Sequence, residues 1–412
     1  MIDAKNFPGR GQVAILRTRP ETVLDDYYKL LRLCEYEENL PKANDTLLKI
    51  NLSWHIWYPA SSTAPWQLDG VIRALLRDGY ARTQLAAVYD NNTAMDDAEG
   101  ARNNRLKLVQ DHYGIRDLFP SDTSIEWVEY QPKQPLAILD QFFTDGIFIP
   151  KAFIGKNILH LPTMKTDASV LVAGAMKNAF GGLLDEKRSR TRANLHDALV
   201  DVLQIQQDIH SGIFCVMDGT FAGEGAGPRT MRPYVKNTLL ASSDPVALDA
   251  VAAQLMGVDP LRVRFIRHAH ERGVGVGNPR EIQILGDARL AQENWQFEHE
   301  QDTLASWGQK QIYQGAFKSL KEPLVDSPRL PLTAATAEVY FNWYWYPFVG
   351  AKRAEMMLNT AWGQKFLQYS EGLPFNPGAS DKTRLTLLAA AGVAAVAALG
   401  LGAYYASRRK KS

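Results

Sequence analysis

Residues 238–257 read TLLASSDPVALDAVAAQLMG, and this stretch decides the fold. The apolar run 238–241 predicts a buried strand. Asp244 followed by Pro245 predicts a helix start, with an acceptor side chain at the N-cap and proline at the first helical position. The helix is expected to run to Met256 and to stop at Gly257, a residue that tolerates the left-handed backbone of a helix end. The same alternation extends outward. Upstream, 158–161 predicts a strand broken by Pro162, 168–179 a helix, 195–209 a helix capped by Gly212, and 213–217 a strand leading into a turn at Asp218-Gly219. Downstream, Asp259-Pro260 repeats the capping device for a helix to Arg272, and 281–285 closes the run as a strand. Nearer the N-terminus, strands over 12–17, 46–52 and 84–89 alternate with helices over 23–34 and 67–78. Strands alternating with helices predict the α/β class, a mostly parallel sheet with helices on both faces.

The chain has 412 residues and a formal net charge of +1, which gives no general reason to expect nucleic acid as a partner. Its two cysteines, Cys34 and Cys215, lie far apart in apolar surroundings. They exclude a disulfide framework, a four-cysteine zinc site and a cysteine-ligated iron–sulfur cluster.

The two ends differ. Residues 1–20 contain no apolar segment of the kind a secretory signal needs. The run 385–406, from Leu385 to Ala406, is uncharged and is followed by Arg408-Arg409-Lys410-Lys411. As a helix it would be about 33 Å long, enough for a bilayer core of roughly 30 Å. Tyr404 and Tyr405 before the basic residues resemble an interfacial anchor. The expectation is a single-pass C-terminal transmembrane helix that contacts the lipid bilayer, with the main domain in the cytoplasm. A soluble alanine-rich helix is the alternative. The expected organisation is an α/β domain over 1–290, a helical and aromatic extension over 291–372, a linker over 373–384, the membrane helix over 385–406 and a basic tail over 407–412. In the extension, Tyr340, Phe341, Trp343, Tyr344, Trp345, Tyr346 and Phe348 crowd into 339–348, as a cover for one end of the core or as a belt at a membrane surface.

Between 161 and 249 a polar and glycine series falls at or near element boundaries: Lys165-Thr166-Asp167, Lys177-Asn178, Gly181-Gly182, His196, Asp218-Gly219, Gly225-Ala226-Gly227-Pro228, and Ser242-Ser243-Asp244-Pro245 with Asp249. Strand carboxyl ends are where open α/β sheets bind ligands. Together these motifs resemble the family catalogued as domain of unknown function 362, over roughly residues 47–287. The resemblance implies an α/β fold and carries no settled activity with it. Many members carry His after the Lys-Thr pair, where this chain has Asp167. Some carry ferredoxin-like cysteine clusters, which this chain lacks.

Two chemistries suit the series. The first is a site for a small phosphorylated or carboxylated anion, formed by Lys165, Lys177, Asn178, Arg190 and Arg229 beside Gly225 and Gly227, with Arg192 and Arg232 also flanking it. Glycine lets backbone N–H groups approach an anion, and the cations supply charge. The spacing is neither a Walker loop nor a dinucleotide fingerprint. The second is a divalent metal held by oxygen donors from Asp167, Asp218, Asp244 and Asp249. Asp244 already has a role as a cap, and Asp218-Gly219 reads as an ordinary turn. His196, with Asp167, is the candidate for acid–base work. Asp249 lies inside an apolar helix and needs a partner if buried; Lys177 or Lys165 is expected to supply it. The rival is a membrane-tethered scaffold whose polar motifs are structural.

Overall fold

The structure is a computed structural model that describes residues 2–3, 5–90, 96–120, 122–299 and 339–369. The first half supplies β1 (Gln12–Arg17), α1 (Val23–Leu33), β2 (Thr46–Ile50), α2 (Pro65–Arg77), β3 (Leu85–Val88), α3 (Asp97–Asn103), α4 (Leu106–Tyr113) and β4 (Arg116–Leu118). Then come β5 (Trp127–Tyr130), α5 (Leu139–Phe142), β6 (Ile147–Pro150), β7 (Asn157–Leu161), β8 (Thr163–Asp167), β9 (Leu171–Ala173) and α6 (Ala175–Leu183). The remainder is α7 (Leu195–Ile209), β10 (Gly212–Glu224), β11 (Arg232–Ser242), α8 (Pro245–Met256), α9 (Arg264–Glu271), β12 (Gln283–Gly286), a π-helical segment Val339–Gly350, α10 (Ala351–Leu358) and α11 (Ala361–Gln368).

The main sheet runs β12-β1-β11-β10-β7-β2-β3-β4, with β8 attached to β10 and β9 to β8. From β10 through β7, β2 and β3 to β4 every pairing is parallel. β11 is antiparallel to both β10 and β1. β5 and β6 form a separate antiparallel pair. Successive strand residues point to opposite faces, and here both faces are covered. Val13, Ile15 and Leu47 join a core with α6, α7, α8 and α9. Ala14 and Leu48 join a second core with α1, α2 and α4. That explains strands such as Thr46–Ile50, which are buried at every position and do not alternate with polar residues.

The expected mixed α/β class and mostly parallel sheet are present, but four local expectations fail. Residues 168–179 do not form one helix. The Asp167 carboxylate accepts from the amides of Ser169 (2.9 Å) and Val170 (3.2 Å), turning the chain back as β9 before α6 begins. Its apolar spacing fitted a helix, but short apolar runs do not separate helix from strand. Asp218-Gly219 is not a turn either. β10 continues through it, paired with β11 over most of its length, and both strands exceed the expected spans. Gly212 is no helix stop: α7 ends at Ile209, and a Cβ at Gly212 would lie 1.8 Å from the Asn39 carbonyl oxygen. Finally, Asp259 caps only the single turn Pro260–Arg262, and α9 starts anew at Arg264.

The described part of the aromatic extension packs on the second core. Trp345 and Tyr346 are buried beside Trp54, Phe366 stacks on Trp57, and Trp362 meets Trp66. The expected membrane helix, the linker, the tail and most of the 291–338 stretch lie outside the described residues. Among the described residues no helix is long and apolar enough to cross a membrane.

Candidate functional site

Strand β8 organises the site. It lies beside β10 near the carboxyl end of β7, and three surrounding segments close on it. Lys165, only 2 % exposed, places its Nζ among four oxygens. It donates to Asn51 Oδ1 (2.7 Å), to the carbonyls of Ala60 (3.1 Å) and Ser61 (3.0 Å), and to the Thr163 hydroxyl. An ammonium has three protons to give, so the surrounding oxygens fully satisfy it. Burial, and then the neighbouring Lys177 charge, push its pKa down to about 7, while the Asp167 charge pulls the other way.

The Gly225–Pro228 loop lies against the same strand. Thr166 Oγ1 donates to the Gly225 carbonyl at 2.8 Å, and the Ala168 amide to that of Gly227 at 3.4 Å. A Cβ on Gly227 would stand 2.0 Å from the Thr166 carbonyl oxygen, so close approach of the two backbones requires glycine there. The loop after β2 fastens both ends of this arrangement. Ser61 donates to the Pro228 carbonyl (3.0 Å) and Arg229 Nε to that of Ser53 (2.9 Å). The Arg229 guanidinium also lies over the Phe341 ring.

On the other side of β8, Lys177 of α6 pairs with Asp167. The carboxylate is wholly inaccessible, whereas the lysine side chain is 23 % exposed. Of the two lysines in this cluster, Lys177 is thus the one that reaches solvent. Arg190 is exposed on the helical turns Glu186–Asn194 that lead into α7.

Asp249 does not pair with a lysine. Its two oxygens accept from the amides of Ala175 (2.7 Å) and Met176 (3.0 Å), the first residues of α6. Helix N-termini leave amides unpaired and favour negative charge, and Gly174, lacking a Cβ, lets the carboxylate in. Burial pushes the Asp249 pKa up to about 7, and the two amides pull it down. Asp244 caps α8 through Val246 and Ala247, as expected, and also accepts from the amides of Gly11 (3.1 Å) and Val276 (3.0 Å). Asp218 is buried among the Tyr27 hydroxyl (2.6 Å), the Trp66 indole (3.0 Å) and Thr220. The metal candidates Asp167, Asp218 and Asp244 therefore stand in three separate networks. Among the described residues no three His, Cys, Asp or Glu side chains come together as a metal-ligand group.

His196 stacks on Phe265, and its Nδ1 accepts that residue's amide at 3.2 Å. Burial, then the Arg264 charge, lower its pKa to about 4, so the ring is neutral at physiological pH. The Asp167 charge also acts on it.

A further polar cluster escaped the sequence reading. Asn178 Nδ2 donates to the Lys49 carbonyl (3.0 Å) and lies 3.4 Å from His160 Nδ1, whose Nε2 contacts Gln206 Oε1 at 2.7 Å. Burial drops the His160 pKa to about 3. Lys49, 1 % exposed, donates to the Ile50 carbonyl and pairs with Asp90. The charges of Asp90, Lys49 and Arg188 act on Asp97, whose pKa burial raises to about 7. The signal was a lysine inside the apolar run Leu47-Leu48-Lys49-Ile50, with an aspartate two residues past the end of the next strand.

Two comparisons with known proteins bear on these residues. No curated protein matches the chain. A family model described as domain of unknown function (DUF362) matches residues 46–254, a span that holds β2 through most of α8 and the whole β8 cluster. The match covers half of the 412 residues, and the chain belongs to the DUF362 family.

Proposed function

We propose that this protein binds a small phosphorylated or carboxylated ligand where β8, α6 and the Gly225–Pro228 loop meet, and that residues 385–406 hold it at a membrane. One observation carries the binding reading. Lys165 and Lys177, drawn from different elements, converge on one strand end beside close-packed glycine backbone, and one of them faces solvent. Lys177 is the contact residue, which an incoming anion takes over from Asp167. Lys165 holds the loop after β2 in place beneath it. The membrane part rests on the length and composition of 385–406.

Pyrophosphate and citrate, titrated in a thermal-shift assay, test the binding reading. Stabilisation is expected with at least one of them, and its loss in Lys177→Ala. If neither anion raises the melting temperature of the wild-type chain, the reading is wrong. One observation favours the scaffold alternative: Lys165 and Asp167 already have full sets of internal partners, as a purely structural network would.

A further inference from the structure

The segment Val339–Gly350 carries aromatic rings on two sides. One side is accounted for: Trp345 and Tyr346 are buried against Trp54 and Tyr58. On the other, Tyr340, Tyr344 and Phe348 form a ladder, with successive ring centroids 5.9 and 5.8 Å apart. Phe348 is 68 % exposed, and Tyr344 and Met356 are each 58 % exposed. These are the three most exposed large apolar side chains among the described residues, and they fall within one short stretch. Scattered apolar exposure is ordinary in folded proteins, but a cluster marks a surface that meets something.

We propose that this ladder is the face by which the domain rests on the lipid–water interface, an inference that relies on the membrane part of the function proposed above. Two features favour a bilayer as the occupant. Tyrosine suits an interface because its ring is apolar and its hydroxyl is wet. Chain length also permits it. Fifteen residues, 370–384, separate Tyr369, the last described residue, from Leu385, where the apolar run begins. Fully extended they reach at most ~55 Å, which confines the domain to the neighbourhood of the bilayer that 385–406 enters.

The test uses the full chain in phosphatidylcholine–phosphatidylglycerol vesicles, with an environment-sensitive fluorophore on Phe348→Cys, Tyr344→Cys or, as a control, Lys151→Cys. Cys34 and Cys215 are buried, so labelling goes to the introduced thiol. Lys151 is exposed and follows β6, which packs on the opposite core. Blue-shifted emission at 344 and 348, with most of it lost to doxyl-labelled lipid and none lost at 151, is the expected result. Solvent-like emission at 344 and 348 in vesicle-bound protein overturns the inference while leaving the anchor intact. A blue shift without vesicles that grows with protein concentration assigns the face to a second copy and also overturns it. Co-flotation that disappears on deleting 385–412 checks the anchor separately, and a full chain that never co-floats sinks both readings.

Discussion

The start of α8 and the middle of β8 are written in the same alphabet, buried aspartate beside small and polar residues, yet they do different work. At α8, the Asp244 and Asp249 carboxylates accept backbone amides, from Val246, Ala247, Gly11 and Val276 in one case and from Ala175 and Met176 in the other. Both carboxylates are closed off. At β8, Lys165, Asp167 and Lys177 bind side chains as well as backbone, and one of the three reaches solvent. A polar group consumed by backbone is a fastener. A polar group held by an exchangeable side chain can give up that partner to a ligand.

Substitutions can break or sharpen this contrast. Asp244→Ala should have the largest effect, because it leaves four buried amides without an acceptor; a loss of about 4 kcal/mol or more is expected from urea denaturation. Asp249→Ala orphans two amides and should cost about 2–3 kcal/mol by the same measurement. If either cost fell below that of a surface substitution, the fastener reading of α8 would fail. Lys165→Met removes the donor from four oxygens, some of which regain water, and should cost about 2 kcal/mol.

The two regions should also respond to pH with opposite slopes. The folded-state pKa of Asp249 is raised from 3.8 to about 7, so the folded form holds an extra proton in that window and stability falls as pH rises through it. Lys165 is lowered from 10.5 to about 7, so the unfolded form holds the extra proton and stability rises with pH from 7 toward 10.5. Denaturation midpoints followed over pH should therefore lose a falling component in Asp249→Asn and a rising one in Lys165→Met. Lys177→Ala should cost about 2 kcal/mol, because both backbone donors to Asp167 fall on Oδ1 and the buried Oδ2 loses Lys177. That variant should also lose its response to pyrophosphate or citrate. A large loss of stability with an unchanged anion response would place Lys177 with the fasteners.

Much of this was legible in the chain. Asp244-Pro245 announced α8, and Gly257 stops it in the left-handed region at φ 91°, because a cap, a proline and a glycine act within one or two turns of chain. The glycines Gly225 and Gly227 were visible as a group, although not what they approach. Partnerships across long separations were not legible. Asp249 faces α6, 73 and 74 residues away, where a lysine was expected, and nothing local signals which helix end a buried carboxylate will meet. The β9 turn was missed because Asp167 competes with the helix for its own following amides, a contest that periodicity does not register. Lys49 on β2 and Asp90, two residues past the end of β3, meet only once those strands pair.

The sequence by itself therefore determined the class of the fold, both ends of α8 and several of the positions along the chain where polar residues gather, since each depends on side chains within a few residues of one another. Only the tertiary structure decided which of those polar groups are closed and which remain open. That choice depends on strand pairing and on how near two backbones come, and both are set by segments far apart in the chain.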